Sequence, residues 1–291
     1  MTPFVRGVRE RHRAQHGEVS PVQLLCTVRN CRAPLERRER TYVCANHHSF
    51  DVARSGYVNL LQPQDKKSKH PGDTAEAVAA RRRFYERGDP LVEQLVRAFP
   101  LHSFPVQGPL LDVGCGEGHH LAAFRRAYGV EACGIDISVP AIELAARTYR
   151  DCEWIVANAD RFLPFADGSL SAVTSITARM NAEEFHRVLD PRGALLVVLP
   201  AAEDLLELRA AVLGEGIERD RVERTEAAFA PLFRLERRET IRHVARLDRE
   251  GMLEVMSSSY RGLRTREKER LGELDALDVT MARDLLCFRP S

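Results

Sequence analysis

Residues 110–118 read Leu110-Leu111-Asp112-Val113-Gly114-Cys115-Gly116-Glu117-Gly118, and they are the most informative segment of the chain. Two apolar residues lead into an aspartate, and three glycines then alternate with other residues. Glycine adopts positive φ readily and has no Cβ, so a turn of this kind lets a ligand approach the backbone closely. The pattern therefore predicts a strand that ends in a ligand-binding turn.

A second carboxylate follows where the apolar run 132–135 ends in Asp136. A glycine turn after one strand and an acid at the end of the next are the two halves of a nucleoside site. The turn reads G-x-G-x-G, whereas a dinucleotide fingerprint reads G-x-G-x-x-G and holds a pyrophosphate over a helix N-terminus. The shorter spacing and the diol-binding acid favour a ligand without phosphates, such as S-adenosylmethionine. The alternatives are an NAD-type site and a nucleotide-free α/β domain.

A third segment, Ala157-Asn158-Ala159-Asp160, follows the next apolar run and suits an adenine ring. Asn158 can form a hydrogen bond with the adenine amino group, and the apolar Ile137 and Ala159 would lie on the two faces of the ring. The predicted cofactor-binding residues are Asp112, Gly114, Gly116, Gly118, His119, His120, Asp136, Ile137, Asn158 and Ala159.

Apolar runs alternate with segments of helical spacing beyond residue 109, which predicts a parallel sheet covered by helices on both faces. The expected strands are 110–113, 132–137, 153–157, 171–176 and 194–199, and the expected helices are 119–128, 139–149, 182–189 and 203–213. Upstream, 74–99 has helical spacing with Asp73 or Thr74 as its N-cap. A further strand is expected near 235–247, and a final apolar run occupies 284–288.

Three of the seven cysteines lie within the first 44 residues, and their spacing, Cys26-x4-Cys31 followed by Cys44-x3-His48, is typical of a zinc site. A closed tetrahedral site would be structural and would stabilise a module whose own core is small. The predicted metal ligands are Cys26, Cys31, Cys44 and His48. His47 competes with the adjacent His48, and the alternative interpretation is three unrelated thiols beside an exposed histidine pair.

The charge of the chain is uneven. Residues 1–72 contain 13 Lys and Arg against 6 Asp and Glu, whereas the remaining 219 residues contain 30 against 36. A basic front module favours a polyanionic partner, and the alternative is a solvated, arginine-rich tail. Residues 1–22 are polar, lack apolar periodicity and are expected to be disordered.

No apolar run is long enough for a membrane-spanning helix, which needs about 18 residues or more. The amino-terminal segment lacks the apolar core of a signal peptide. These features predict a cytoplasmic protein with no membrane partner.

Several further segments resemble the RlmA-type family of 23S ribosomal RNA guanine-N1 methyltransferases, which includes a macrolide-resistance branch. The segments are Cys31-Arg32-Ala33-Pro34-Leu35, Cys44 through Asp51, Ala53 through Leu61, Gly72 through Arg81, and Asp112 through His120. The resemblance extends over residues 24–213. Three features depart from it: four residues instead of two separate the first cysteine pair, the chain after Gly88 is shorter than the family pattern, and 177–181 replaces a proline-containing segment near the target base.

The resemblance implies an α/β fold, namely the doubly wound, Rossmann-like sheet of class I methyltransferases with a small N-terminal zinc-knuckle module. The implied division is a disordered extension at 1–22, a zinc-binding RNA-recognition module and linker at 23–72, and a methyltransferase domain that uses S-adenosylmethionine at 73–291. Zn²⁺ would occupy the knuckle, and the resemblance also suggests a homodimer.

The implied activity is transfer of a methyl group from S-adenosylmethionine to N1 of a guanine in a hairpin of 23S ribosomal RNA. One alternative is a methyltransferase that acts on a small molecule or protein, and another is a non-catalytic RNA-binding protein with a vestigial methyltransferase fold. Asp160 and His120 are the candidate general bases. The predicted RNA contacts are Arg54, Lys66, Lys67, Lys69 and Arg81.

Overall fold

The computed structural model describes residues 22–66, 68–69, 71–99, 101, 108–214, 221–258 and 264–291. The extension that was expected to be disordered lies outside this part of the chain except for Val22, and so does Lys67. Among the described residues, no helix is both long enough and apolar enough to cross a membrane.

The amino-terminal module is a small antiparallel sheet of three strands in sequence order. These strands are β1 (Leu35–Arg38), β2 (Thr41–Cys44) and β3 (Ser49–Asp51). The following strand, β4 (Tyr57–Asn59), leaves this sheet and joins a larger one. Strand β4 therefore connects the two parts of the structure.

The larger sheet contains β4 and seven strands from the rest of the chain. These are β5 (Leu110–Val113), β6 (Ala132–Asp136), β7 (Glu153–Val156), β8 (Leu170–Ile176), β9 (Leu189–Pro200), β10 (Phe233–Asp248) and β11 (Ala276–Pro290). Their order is β10-β11-β9-β8-β5-β6-β7-β4. All pairs from β4 to β9 are parallel, and β11 lies antiparallel to both β9 and β10. The predicted parallel sheet is confirmed, with an antiparallel edge from the two last strands.

The helices that the sequence predicts are present among the described residues, and three that were not predicted follow residue 221. They are α1 (Ala75–Glu86), α2 (Val92–Ala98), α3 (His119–Tyr128), α4 (Val139–Thr148), α5 (Ala182–Val188), α6 (Leu206–Leu213), α7 (Val222–Phe229), α8 (Arg249–Ser257) and α9 (Thr265–Gly272). Thr74 caps α1 by accepting a 3.3 Å hydrogen bond from the Ala77 amide. The single helical stretch expected over 74–99 is two helices, because Gly88 adopts a φ of +112° and Pro90 cannot donate a backbone hydrogen bond.

Apolar side chains cover the sheet on both faces. Leu121 of α3 and Ile142 of α4 pack on one face, while Phe185 of α5 and Phe229 of α7 pack on the other. Burial on both faces explains why the central strands, such as β9, are nearly continuous apolar runs.

The module packs directly on the second face. The Leu25 amide donates a 2.9 Å hydrogen bond to the Pro164 carbonyl, and Leu24 is buried in the same apolar cluster as Phe165. In β4, Tyr57 pairs with Trp154 of β7. The module and the larger sheet therefore share one apolar core on this side.

The strand order reverses at β5, whose neighbours are β6 on one side and β8 on the other. Ligands of open α/β sheets bind outside the carboxyl ends of the strands at such a point. The fold thus places a cleft beyond the glycine turn that follows β5.

Candidate functional site

A cleft of about 850 Å³ lies at the carboxyl ends of β5 to β8. Eight of the ten residues predicted to bind a cofactor line it: Gly114, Gly116, His119, His120, Asp136, Ile137, Asn158 and Ala159. They meet there because the carboxyl ends of parallel strands lie on one edge of the sheet.

The glycine turn forms one wall of the cleft and has no room for side chains. Gly114 and Gly116 both have positive φ, at +72° and +55°. A Cβ on Gly114 would overlap the Cβ of Ala178, and a Cβ on Gly116 would lie 3.1 Å from Nη1 of Arg81. The turn therefore presents bare backbone to the cleft, as a closely bound cofactor requires.

Asp112 and Gly118 lie outside the lining of the cleft. Asp112 is buried beneath the turn, where its Oδ1 accepts a 2.8 Å hydrogen bond from the Thr174 hydroxyl. Burial raises the pKa of the Asp112 carboxyl to about 6. Gly118 begins α3 with a φ of +82°, and a Cβ there would overlap the Trp154 ring. The structure thus gives these two residues internal packing contacts rather than contact with the cleft.

Asp136 links the ends of β5 and β6. Its Oδ2 accepts a 3.0 Å hydrogen bond from the Gly116 amide, and its Oδ1 accepts one of 2.8 Å from the Ser138 amide. Burial raises the pKa of this carboxyl, while the two amide bonds act in the opposite direction. Each carboxylate oxygen has a second lone pair, so Asp136 can still accept from a diol in the cleft.

Asp65, Ser68 and residues 71–73 line the cleft on the side of the module. The Asn158 side chain donates a 2.9 Å hydrogen bond to the Asp65 carbonyl, and its Oδ1 accepts from the Asp160 amide at 3.1 Å. Gly72 approaches so closely that a Cβ there would lie 2.7 Å from the Cβ of Ser138. Asp65 and Gly72 therefore lie against the adenine end of the predicted site.

Arg81 of α1 reaches into the cleft, although the sequence predicted it to be an RNA contact. Its guanidinium lies 2.5 Å from the Asp73 carboxylate and 3.7 Å from that of Glu117, and it donates to the Ser258 carbonyl at 2.9 Å. Burial alone would lower the pKa of Arg81, but the two carboxylates raise it. Its charge is therefore engaged inside the cleft.

Glu117 is a cleft residue that the sequence prediction did not include. Its side chain is 2% exposed, and its Oε1 has no hydrogen-bond partner among the described residues. The signal was present, because Glu117 lies between two glycines of the turn and hence at the same strand end. Its partner Arg81 comes from a distant segment that has no local signature.

A second cluster of polar side chains lies at the N-terminus of α3. His119 and His120 both direct Nε2 at Oδ2 of Asp89, at 3.4 Å and 3.3 Å. The Asp89 carboxylate also accepts a 2.9 Å hydrogen bond from the Leu91 amide. The Tyr85 ring stacks on His119 with a centroid separation of 4.2 Å. These contacts fix both imidazole rings at the edge of the cleft.

Asp160, the other candidate base, lies in a more open position. Its side chain is 38% exposed, and its Oδ2 accepts a 3.3 Å hydrogen bond from Nη1 of Arg179. It lines both the cleft and an open surface depression beside α5.

The four predicted metal ligands form one cluster in which the ligand atoms all lie within 4.8 Å of one another. Nδ1 of His48 lies 3.5 Å from Sγ of Cys26 and 3.5 Å from Sγ of Cys44. Sγ of Cys31 lies 3.8 Å from Sγ of Cys44. His47 is exposed with a φ of +61° and is not part of the cluster.

These separations suit a tetrahedral zinc ion. With bonds of about 2.3 Å to sulfur and 2.0–2.1 Å to nitrogen, a tetrahedron separates two sulfurs by roughly 3.8 Å and a sulfur from a nitrogen by roughly 3.5 Å. Asn46 also donates a 3.2 Å hydrogen bond to Sγ of Cys31, the outer support that metal thiolates commonly have. The four-residue spacer after Cys26 does not keep it from the cluster.

The other predicted RNA contacts that the structure describes are on the surface. Arg54, Lys66 and Lys69 are exposed. They lie on the module or on the segment that leads from it to the cleft. A polyanion bound there would therefore lie near Asp65 and Ser68, which line the cleft.

Comparison with known proteins defines the class. Residues 25–69 match the family model of the RlmA amino-terminal zinc ribbon, and residues 110–193 match a methyltransferase domain model. The fold, the cleft and the cluster are thus those of an S-adenosylmethionine-dependent methyltransferase with a zinc ribbon. Among solved structures, a methyltransferase from Thiobacillus denitrificans in complex with S-adenosyl-L-homocysteine has a TM-score of 0.48 at 13% identity, over 76% of this chain and 100% of the other.

The chain belongs to the family of 23S rRNA (guanine-N1)-methyltransferases. It is 35% identical over 270 residues to the 23S rRNA (guanine(748)-N(1))-methyltransferase of Streptomyces fradiae. The matched region covers 90% of this chain and 95% of that protein. A Micromonospora griseorubida protein that is provisionally named as such an enzyme is 38% identical over 66% of this chain and 70% of its own length. A similarly named Bacillus subtilis protein is 37% identical over 58% of this chain and 62% of its own length.

Proposed function

We propose that the protein transfers a methyl group from S-adenosylmethionine to N1 of a guanine in a hairpin of 23S ribosomal RNA. The observation that carries this proposal is the 35% identity to the Streptomyces fradiae enzyme over 95% of that protein's length. A match confined to the methyltransferase domain would have left the acceptor open, but this one spans 90% of this chain.

The cofactor cleft supports the same conclusion. S-adenosylmethionine supplies an electrophilic methyl group on a sulfonium. We assign Asp136 to the ribose diol, Asn158 to the adenine amino group, and Ile137 and Ala159 to the faces of the ring. Gly114 and Gly116 provide bare backbone beside the methionyl part, next to His119 and His120. Asp112 and Gly118 support the turn from below.

We further propose that Arg81 and Glu117 bind the methionine end. An arginine and a carboxylate 3.7 Å apart in one cleft offer complementary charges to the carboxylate and the ammonium group of an amino acid. Glu117 has a buried oxygen without a partner among the described residues, which a bound ammonium group would satisfy.

The module is proposed to bind the RNA. Cys26, Cys31, Cys44 and His48 would hold Zn²⁺, and the ion would keep β1 to β3 folded because the module has few apolar residues of its own. Arg54, Lys66 and Lys69 would contact phosphates, since RNA hairpins are bound largely through backbone charge and shape. A hairpin held there would lie beside Asp65, Ser68 and residues 71–73, which line the cleft.

The proposed division is an extension at 1–22, the zinc-binding RNA-recognition module and linker at 23–72, and the methyltransferase domain at 73–291. Because β4 belongs to the large sheet, we expect the two larger parts to fold together. We also propose a cytoplasmic location, where ribosomal RNA is available, and retain a homodimer and a contribution to macrolide resistance as hypotheses from the family resemblance.

The test is methylation of ribosomal RNA from a strain that lacks its own enzyme of this family. The purified protein and methyl-labelled S-adenosylmethionine should give label in 23S RNA and one new reverse-transcription stop at a guanine, because a methyl group at N1 blocks base pairing. Label transferred only to protein or to a small molecule, or none at all, would contradict the proposal.

A further inference from the structure

A second, more enclosed cavity of about 320 Å³ adjoins the cofactor cleft. The two cavities share Arg81, Tyr85, His120, Ile176, Thr177 and Ser258 as lining residues. It therefore opens at the end of the cleft where His120 lies, away from the assigned adenine contacts. Its volume is at the lower end of the range for small-molecule sites, roughly 300–1,000 Å³.

The walls of this cavity combine apolar surfaces with a few polar groups. Leu95, Ile241 and Met281 are among the apolar lining residues, and Phe84 and Tyr85 contribute aromatic rings. The charged or titratable members of the lining are Arg81, Tyr85, Asp89, His120 and Arg283. An aromatic and apolar slot with a few fixed polar groups is the usual environment of a nucleobase turned out of its stack.

We propose that this cavity receives the target guanine and that His120 accepts the proton of its N1. The inference rests on the proposed function and deepens it by naming the acceptor pocket and the base. Methylation at N1 requires an unpaired base, because that atom lies on the pairing edge. A pocket that adjoins the cofactor cleft would bring the edge to the methyl donor while water is excluded.

The contacts of His120 leave one ring nitrogen for the substrate. Nε2 lies 3.3 Å from the Asp89 carboxylate, which favours the tautomer with the proton on that nitrogen. Nδ1 then carries the lone pair, and it has no partner among the described residues. Asp89 is a positioning residue: the Leu91 amide fixes its carboxylate, and the carboxylate fixes the ring.

The charges around His120 suit a base of this kind. The charged or titratable groups that face it from the packed elements are Arg81 and Tyr85 of α1, Asp89, Asp112 of β5, Glu117, His119 of α3 and Arg283 of β11. Burial alone would raise the pKa of Asp89, but hydrogen bonds from the two histidines lower it, so it stays an anion. An anion beside the ring stabilises the imidazolium that forms when His120 takes a proton.

Arg283 is suited to stabilise O6 of guanine, the second atom whose charge changes in the reaction. Removal of the N1 proton places negative charge on O6 of guanine as well as on N1. The described contacts of Arg283, to the Asp204 carboxylate and to the Ala282 carbonyl at 2.9 Å, use Nη1. Its other donors are left for O6, where a fixed positive charge stabilises the developing oxyanion.

The step balances without any further reactant. The N1–H bond breaks and its proton goes to Nδ1 of His120, while the electron pair stays on N1. That pair forms the bond to the methyl carbon, the bond from sulfur to that carbon breaks, and its electrons remain on sulfur as a thioether. His120 later returns the proton to solvent.

The open depression beside α5 is a weaker candidate for the acceptor pocket. It shares Asp160 and Arg179 with the cofactor cleft, and Asp160 is already bonded to Arg179. Its lining contains no aromatic residue. Asp160 is nonetheless the rival base, so it belongs in the test.

The test compares single-turnover methylation of 23S RNA by His120→Asn, Asp89→Asn, Asp160→Asn and the surface control His243→Asn, with saturating S-adenosylmethionine. At neutral pH the His120→Asn rate should fall by about 10²–10⁴-fold, the usual contribution of a general base. It should recover as the pH rises, because hydroxide then removes the N1 proton. Affinity for S-adenosyl-L-homocysteine, measured by calorimetry, should be retained. Asp89→Asn should shift the pH profile, and His243→Asn should behave as wild type.

A second measurement needs neither turnover nor the methyl donor. A hairpin with 2-aminopurine at the methylated position should brighten on binding, because the base leaves its stack. Val255→Phe on α8 fills the cavity and should abolish the signal, whereas Val244→Phe, on an exposed part of β10, should keep it.

The outcomes separate the two proposals. If wild type forms N1-methylguanine while His120→Asn stays within about threefold of it at neutral pH, or Asp160→Asn alone shows the pH-dependent loss, the inference about His120 is wrong and the function stands. An unchanged fluorescence signal in Val255→Phe overturns the pocket. A wild-type protein that makes no N1-methylguanine overturns both.

Discussion

Gly118 lies directly against the indole ring of Trp154: a Cβ on Gly118 would be 2.9 Å from Cζ3 of the ring and closer still to Cη2. Gly134 of β6 also touches the ring, and a Cβ there would be 2.7 Å from Cε3. The last glycine of the turn is thus needed for packing of the turn on β7, rather than for contact with the cofactor.

Gly118→Ala should therefore destabilise the protein by roughly 2–4 kcal/mol, since it combines a left-handed backbone with overpacking. Gly129→Ala is the matched control: Gly129 has a φ of +65°, but a Cβ there meets nothing within 4 Å. That variant should lose only about 1 kcal/mol, the backbone part. Chemical unfolding measures both, and equal losses would contradict the role of Trp154.

The metal site is tested by the two adjacent histidines. His48→Asn should abolish stoichiometric zinc, because Nδ1 of His48 is one of the four clustered ligand atoms. His47→Asn should keep the zinc, since His47 is outside the cluster and asparagine tolerates its positive φ. Metal analysis of the purified variants decides, and zinc lost equally from both would contradict the assigned ligands.

The pair Arg81 and Glu117 should be strongly coupled. Arg81→Met removes the positive partner of the buried Glu117 carboxylate. Loss of one partner from a buried ion pair costs about 3–5 kcal/mol. The double variant Arg81→Met, Glu117→Gln should recover part of that loss because the buried charge of Glu117 is then removed, and the carboxylate that still lacks its cation, Asp73, is 22% exposed. A double-mutant cycle of unfolding free energies measures the coupling, and additive effects would mean that the contact is energetically unimportant.

Asp112 makes stability depend on pH in an unusual direction. Burial raises its pKa in the folded protein to about 6, above the unfolded value of about 3.9. A raised pKa means that the folded state binds this proton more tightly, so the stabilisation is complete below the unfolded pKa and is lost as the pH rises through 6. Asp112→Asn keeps an oxygen for the Thr174 hydroxyl and does not ionise.

The variant should therefore gain stability relative to wild type by about 2 kcal/mol between pH 4 and pH 7. Urea unfolding of both proteins at these two pH values measures the difference. A difference that does not change with pH would show that folding does not raise the pKa of the Asp112 carboxyl.

Local patterns predicted the fold better than they predicted contacts between distant segments. The glycine turn, Asp136 and Asn158 each end an apolar run, so strand ends and their meeting point follow from the sequence. Arg81 could not be placed in this way, because it meets Ser258, which is 177 residues away in the chain. The sequence indicated a basic residue on a helix and could not tell that its partners are Asp73 and Glu117.

Two further features were not predicted for the same reason, because they depend on contacts between distant segments of the chain. Asp112 was predicted to touch the cofactor because it precedes the turn. Side chains alternate between the two faces of the sheet along β5, however, and that of Asp112 lies against Thr174 of the neighbouring strand β8. The pairing of β4 with β7 could not be foreseen, since a three-residue strand carries little information about its partner.

We propose that this cleft binds S-adenosylmethionine for methylation of guanine N1 in 23S ribosomal RNA. The most direct measurement is mass spectrometry of nucleosides from 23S RNA treated with wild type, with Asp136→Asn, and with Asp151→Asn as an exposed acidic control. We expect N1-methylguanine with wild type and with Asp151→Asn, and at least about a tenfold lower rate with Asp136→Asn, since hydrogen bonds to a charged group contribute about 1.5–3 kcal/mol. No N1-methylguanine with wild type, or an undiminished rate with Asp136→Asn, would contradict it.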